Sequence, residues 1–243
     1  MTASALPPLA LETRIAALDW PALAADLAAR GHAITPPLLT PTEYAALIAL
    51  YSDDTRFRRR IDMARYRFGE GDYGYFNEPL PPLVADLRER LYARLAPLAN
   101  GMMTDLRRPD RFPANLADYR AHCHAAGQTR PTPLLLRYRV GGYNCLHRDL
   151  YGPLHFPLQC TLMLSRPGVD YAGGEFLLVE NRARQQSIGS AMVAAQGACL
   201  LFPVYERPVP GKRGPVRAEM RHGVSRITAG ERYALGILFH DAA

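Results

Sequence analysis

The sequence predicts a mainly β fold with some α structure, a sandwich or jelly roll carrying helices at its N-terminal end, on three observations. From Pro133 onward, short apolar runs divided by Gly and Pro recur at 133–140, 156–164, 174–180, 198–202, 217–228 and 232–239, the pattern of strands joined by turns. Before that point the apolar periodicity is helical. The 21 Pro and 19 Gly among 243 residues supply the turns such a fold needs. One domain is expected over 1–243, with 1–130 a helical support region packed on the sheet and 131–243 the β core.

Each helix has a local cause. Asp19 can cap a helix that runs through Ala29, with Pro21 near its start and Gly31 just past its end. Thr40-Pro41-Thr42-Glu43 sets an N-cap Thr, an N1 Pro and an N3 Glu ahead of an apolar run to Leu50, the signature of a capping box. Over 81–96, Leu83, Leu87, Leu91 and Leu95 recur every four residues, so one helical face is buried, against the outside of the sheet. A further helix over 115–126 ends at Gly127.

Composition narrows the class. No run of about 18 apolar residues occurs, and MTASALPPLA lacks the charged start and apolar core of a signal peptide, so a cytoplasmic protein is expected. Cys123, Cys145, Cys160 and Cys199 form no Cys-x-x-Cys pair and read as reduced thiols. A net charge of +6 would ordinarily suggest an anionic partner. Here nearly all positive charge is Arg, with Lys212 the only lysine and Ala abundant, which suggests a coding bias and weakens that inference.

The chemistry concentrates in four residues. In a strand, His147 and Asp149 point to one face while Arg148 turns away. With His222 they make two imidazoles and a carboxylate, a set that leaves positions open on a non-haem iron(II). Arg232, ten residues beyond His222, offers a fork that binds a carboxylate bidentately and keeps its charge. If 217–228 and 232–239 form a hairpin with a three-residue loop at Gly230, Thr228 pairs with Arg232, and His222, Arg226 and Arg232 share a face; His222 and Arg232 then lie six residues apart in level, roughly 20 Å. Read alone, Arg232 would be an ordinary exposed strand arginine, and His155 and His240 are satisfied structural histidines, His155 being near enough to line the pocket. His122-Cys123-His124 splays over different helical faces and reads as structural or exposed.

The pattern around these residues resembles the Fe(II)/2-oxoglutarate-dependent dioxygenases, in particular their prolyl-hydroxylase-like branch. Tyr138-Arg139-Val140-Gly141 precedes His147-Arg148-Asp149, then come Gly173-Gly174-Glu175-Phe176, Gly197-Ala198-Cys199-Leu200-Leu201-Phe202-Pro203, and His222-Gly223-Val224 with Gly230 and Arg232, in family order over about 133–240. The resemblance implies a double-stranded β-helix, the cupin-like jelly roll, as the catalytic core. It implies Fe(II) on His147, Asp149 and His222, the far carboxylate of 2-oxoglutarate on Arg232, dioxygen as second cosubstrate, and a reductant such as ascorbate. Tyr138 stands where related enzymes touch 2-oxoglutarate, and Gln159 and Thr161, on one face of the next strand, are further candidates to hydrogen-bond it. The implied reaction hydroxylates an unactivated C–H bond with release of succinate and carbon dioxide; on an N-methyl group it demethylates.

Two substrate classes follow. The whole chain looks like a bacterial subgroup associated with oxidative repair of alkylated nucleic acid, and the segment 56–76 mixes Arg with Tyr and Phe as a nucleic-acid or peptide groove would. The prolyl-hydroxylase likeness points instead to a prolyl or other amino-acid side chain in a protein, peptide or small molecule. Outside this enzyme class, a cupin-like iron protein that does not use 2-oxoglutarate, or an inactive binding module, would share the fold.

Overall fold

A computed structural model describes residues 9–243; most of the leader reading above falls on residues 1–8, which lie outside the described residues. The strands are β1 (Ala33–Pro37), β2 (Phe57–Asp62), β3 (Gly69–Glu70), β4 (Asp72–Phe76), β5 (Leu134–Tyr138), β6 (Tyr143–His147), β7 (Leu158–Met163), β8 (Tyr171–Gly173), β9 (Phe176–Arg182), β10 (Ile188–Met192), β11 (Ala198–Pro203), β12 (Glu206–Val209), β13 (Val216–Val224), β14 (Ile227–Gly230) and β15 (Arg232–Ile237). They build a seven-stranded sheet, β1-β11-β7-β15-β5-β4-β2, and a smaller one, β10-β9-β13-β6-β3, with β12 beside β13. Pairing is antiparallel throughout these sheets. Phe176, Leu178 and Met220 of the smaller sheet pack on Leu200 and Phe202 of the larger, so the two close face to face as a jelly roll.

The helices are α1 (Leu11–Ala16), α2 (Trp20–Arg30), α3 (Pro41–Ala49), α4 (Pro82–Asp105) and α5 (Leu116–Ala125). Asp19 caps α2 by accepting from the Ala22 amide, and Gly31 ends it in the left-handed region at φ 74°. Both halves of the capping box at Thr40 and Glu43 form on α3. On α4, Leu87, Leu91 and Leu95 are fully buried, and the helix continues past 96 through Pro97 to Asp105. They join Leu158, Cys160 and Leu162 of β7 and Leu235 and Ile237 of β15 in the largest core, on the outer face of the seven-stranded sheet. The alternate residues of β7, Gln159 and Thr161, therefore face inward, toward the smaller sheet.

Two expectations need correction. The first 130 residues are not only a helical support: β1, β2 and β4 complete the larger sheet and β3 joins the smaller one. Two of these were hidden because they are edge strands, where Pro and charge are tolerated and even useful. β1 ends in Pro36-Pro37, and β2 reads Phe57-Arg58-Arg59-Arg60-Ile61-Asp62 with only Phe57 and Ile61 buried. The hairpin across Gly230 does not form either. β13 and β14 lie apart from β15, which pairs β5 and β7 in the other sheet; β14 pairs β8, and Gly230, at φ 73°, sits where the chain crosses over. Arg232 pairs with Tyr138, not Thr228.

Candidate metal centre and active site

His147 ends β6 and His222 lies directly opposite it on β13, with ring centroids 4.2 Å apart. Asp149 follows two residues past His147, beyond the strand end, while Arg148 turns away to Glu219 at 2.6 Å and over the Tyr205 ring. The carboxylate reaches both imidazoles: Asp149 Oδ1 is 3.5 Å from His147 Nε2 and Oδ2 is 3.2 Å from His222 Nε2. One ligand atom from each of the three lies within 4.8 Å of the others.

The surroundings prepare these atoms for a cation. His147 Nδ1–H donates to the Cys145 carbonyl at 2.7 Å, which leaves Nε2, the nitrogen facing Asp149, as the atom a metal would take. The Gln159 amide nitrogen donates to Asp149 Oδ2 at 2.9 Å and lies 3.1 Å from His222 Nε2, while His222 Nδ1 is buried without a partner among the described residues. Tyr151 O–H donates to Asp149 Oδ1 at 2.6 Å and receives a hydrogen bond from Tyr75 O–H at 3.0 Å. Phe176 stacks on His222 nearly parallel, at 7°, and Phe202 packs 4.9 Å from it. Burial would raise Asp149, but the His147 charge and hydrogen bonds from both histidines hold it well below the usual carboxylate range. Burial would lower His147, yet the Asp149 charge and hydrogen bond outweigh it and leave it raised. His222 is lowered, by burial and then by the His147 charge. An ionised carboxylate beside a neutral imidazole is a ligand set ready for a divalent metal.

The triad opens into a cavity of about 350 Å³, within the usual range for small-molecule sites. Arg232, Tyr138, Gln159 and Thr161 line it with the triad. On the inward face of β7, Gln159 sits at the triad and Met163 contacts Arg232 Nη2 at 3.4 Å, four residues away, roughly 13 Å of strand. This replaces the longer separation that the hairpin implied. Arg232 is 2% exposed, its Nε has no partner, and the faces of Tyr138 and Tyr171 lie 5.5 and 5.9 Å from its Cζ. A buried guanidinium without an anion is costly, so a carboxylate entering this end of the cavity would fit. Gly174, at φ 66°, helps make the space: a Cβ there would stand 3.1 Å from Arg232 Cδ and 2.2 Å from Ile227 Cδ1.

Three candidates behave differently from expectation. Gln159 bonds the metal-ligating groups, where a contact to 2-oxoglutarate was expected. Arg226 is exposed at the bend after β13, donates to the Gly141 carbonyl and covers the Tyr143 ring, because the chain leaves the His222 face there. His155 lines a separate cavity with Tyr205 and Asp110. Sequence reasoning missed Tyr151, although its position two residues after Asp149 was a usable signal. The fully buried His240 accepts from the Phe156 amide at Nδ1, but its Nε2 is buried without a partner among the described residues, so it is only half satisfied.

The comparisons agree with this geometry. Residues 71–242 match a family described as "Oxygenase, catalysing oxidative methylation of damaged DNA". Two uncharacterised proteins, from different strains of Mycobacterium tuberculosis, are each 50% identical over 165 residues, 68% of this chain and 71% of theirs. Among solved structures, a Pseudomonas putida prolyl-4-hydroxylase shares 15% identity at TM-score 0.54 over 92% of this chain and 100% of its own. A Trichoplax adhaerens prolyl hydroxylase, in complex with a hypoxia inducible factor peptide, shares 16% at TM-score 0.56 over 95% and 92%. At those identities the structural likeness speaks for the fold. The family match spans well over half of the chain, which therefore belongs to this oxygenase family.

Proposed function

We propose that this oxygenase, using Fe(II), 2-oxoglutarate and dioxygen, hydroxylates an alkyl group on a damaged nucleobase. The observation that carries the reading is one cavity holding both a possible iron-ligand triad and a buried arginine that lacks an anionic partner among the described residues. The family description supports the nucleobase as substrate. When bound, iron and 2-oxoglutarate supply the oxidising power for C–H hydroxylation, with succinate and carbon dioxide released. His147, Asp149 and His222 would hold the metal on one face, and Arg232 would fix the far carboxylate of the cosubstrate. Tyr138, under the guanidinium, and Thr161 would wall the cosubstrate between them. Tyr151 and Gln159 hold the Asp149 carboxylate, each occupying one of its oxygens. Hydroxylation at an N-methyl carbon leaves a hemiaminal that collapses to formaldehyde and the free N–H, restoring the base. A cytoplasmic location belongs to this reading; no helix among the described residues is long and apolar enough to cross a membrane.

The test is succinate release with methylated oligonucleotides set against proline-containing peptides, for wild type, His147→Ala and Asp149→Ala. We expect oligonucleotide-dependent release in wild type and none in the variants, since two protein ligands cannot keep the open geometry. Release with the peptide alone would refute the nucleobase as substrate, and wild-type turnover in either variant would refute the metal site.

A further inference from the structure

The turn 63–68, between β2 and β3, leaves two aromatic rings in solvent, Phe68 lining the cavity and Tyr66 next to it on the side away from the triad. Tyr66 is 40% exposed and Phe68 47%. Their rings are stacked, with centroids 5.6 Å apart and planes 20° from parallel. Phe68 and Arg67 line the mouth of the cavity that holds the triad. Single exposed apolar side chains are ordinary; a preformed stack beside an active-site opening is a different object.

The turn is held in register with the metal site. Met63 is fully buried beneath it, and its carbonyl accepts from the Phe68 amide at 3.0 Å. The Phe68 carbonyl accepts from the Cys145 amide at 2.8 Å, two residues before His147 on β6. Gly69 pairs with Asn144 so closely that a Cβ would stand 2.3 Å from the Tyr143 carbonyl oxygen. Arg67 takes the left-handed conformation at φ 59° that closes the turn. The rings thus ride on the strand that presents the first ligand.

Arginine predominates on the exposed side of the turn, with Asp62 and Glu70 exposed at its two ends. Arg59 donates to the Tyr66 hydroxyl at 3.3 Å, and Arg65 lies over the Tyr66 ring at 5.9 Å. Arg59, Arg65 and Arg67 are exposed and join no ion pair among the described residues, whereas most other arginines around the sheet do. Aromatic faces for bases, with arginines for the phosphates between them, are what single-stranded nucleic acid requires.

We propose that the 63–68 turn is a stacking platform for single-stranded nucleic acid, in which the base next to the one in the cavity stacks on Phe68, extending the Phe68–Tyr66 pair, while Arg59, Arg65 and Arg67 hold the adjoining phosphates. This rests on the nucleobase reading above. It adds that the substrate is an unpaired strand, since a base stacked within a duplex cannot reach the buried Asp149 and His222 without leaving its stack.

The probe is a single-stranded oligodeoxynucleotide with one 1-methyladenine flanked by 2-aminopurine, mixed under nitrogen with the full chain, Fe(II) and 2-oxoglutarate so that nothing turns over. Wild type is expected to quench the 2-aminopurine as it binds. Phe68→Ala is expected to bind roughly 5- to 150-fold more weakly with quenching lost, and Phe68→Tyr to bind as wild type. Arg67→Ala should bind more weakly with a shallower dependence on salt. Unchanged circular dichroism would exclude misfolding of these surface variants. If Phe68→Ala and Tyr66→Ala bind and quench as wild type does, the platform is refuted, while oligonucleotide-dependent succinate release in air would leave the nucleobase reading standing. If wild type neither binds this strand nor releases succinate with it, yet does so with a proline-containing peptide, both are refuted.

Discussion

Arg88 and Arg232 are both almost completely buried, at 1% and 2% exposure, and they are equipped in opposite ways. Arg88, on α4, donates to Asp241 at 2.7 Å and to the carbonyls of Leu238, Phe239 and His240, with only Nη1 left unpaired. Asp241 is in turn bonded by Arg120 and His124, so this charge cluster is closed upon itself and ties the chain end to α4 and α5. Arg232 has a thioether and two ring faces. A fold keeps a buried charge either because its counter-charge is part of the structure or because a counter-charge arrives. The first arginine is a fastening; the second is buried with no counter-charge among the described residues, as the proposed cosubstrate role requires.

That contrast can be broken by substitution. Arg88→Met leaves Asp241 Oδ1 buried without its partner, Oδ2 still being held by Arg120 and His124, and should lower stability by about 3 kcal/mol, read as a fall in the urea midpoint. Arg232→Met, which removes a charge with no partner, should leave the ligand-free protein within about 1 kcal/mol of wild type; a loss as large as that of Arg88→Met would erase the distinction. With 2-oxoglutarate at a hundred times its dissociation constant, wild type should gain about 2.7 kcal/mol and the Met variant nothing. Arg232→Lys should weaken 2-oxoglutarate more than iron, because a point charge replaces a fork.

The triad end sharpens the comparison by a smaller effect. Tyr151→Phe removes one donor to Asp149 and should weaken Fe(II) binding about tenfold by titration, with the cosubstrate's dependence on Arg232 unchanged. A comparable effect, dependent on pH, belongs to the fastening. Burial, then the neighbouring His155, hold His240 down to about 3 from an ordinary value of 6.5. Between those values the unfolded chain binds a proton that the folded chain refuses, so this contribution is complete above pH 6.5 and is lost as pH falls, at up to about 1.4 kcal/mol per pH unit. Asp241, held low against burial chiefly by Arg88, adds a further loss below the ordinary carboxylate range. Urea midpoints at pH 7, 6 and 5 should fall accordingly, and His240→Gln should flatten the slope.

What could be read locally was read correctly. Asp19 and Thr40 cap their helices because a cap involves atoms three residues apart. His147 and Asp149 meet because two residues of extended chain return to one face. Alternation says which face a residue takes and is silent about which sheet its strand joins. For that reason Arg232 could be placed in a hairpin with His222, when β15 in fact lies between β7 and β5. The charged β2 and the proline-bearing β1 escaped notice because edge strands need little apolar surface.

By itself the sequence determined the jelly-roll class, the capped helices and the three residues that come together as a possible metal site, and it singled out an arginine downstream of them as a candidate, since each rests on spacing or residue chemistry. Only the tertiary structure decided that His222 sits opposite His147, that Gln159 and Tyr151 hold Asp149, and that Arg232 is buried without a counter-charge among the described residues while Arg88 is buried with one. Those are relations between residues tens of positions apart, set by strand order and by what remains unpaired once the core has closed, and no local pattern carries them.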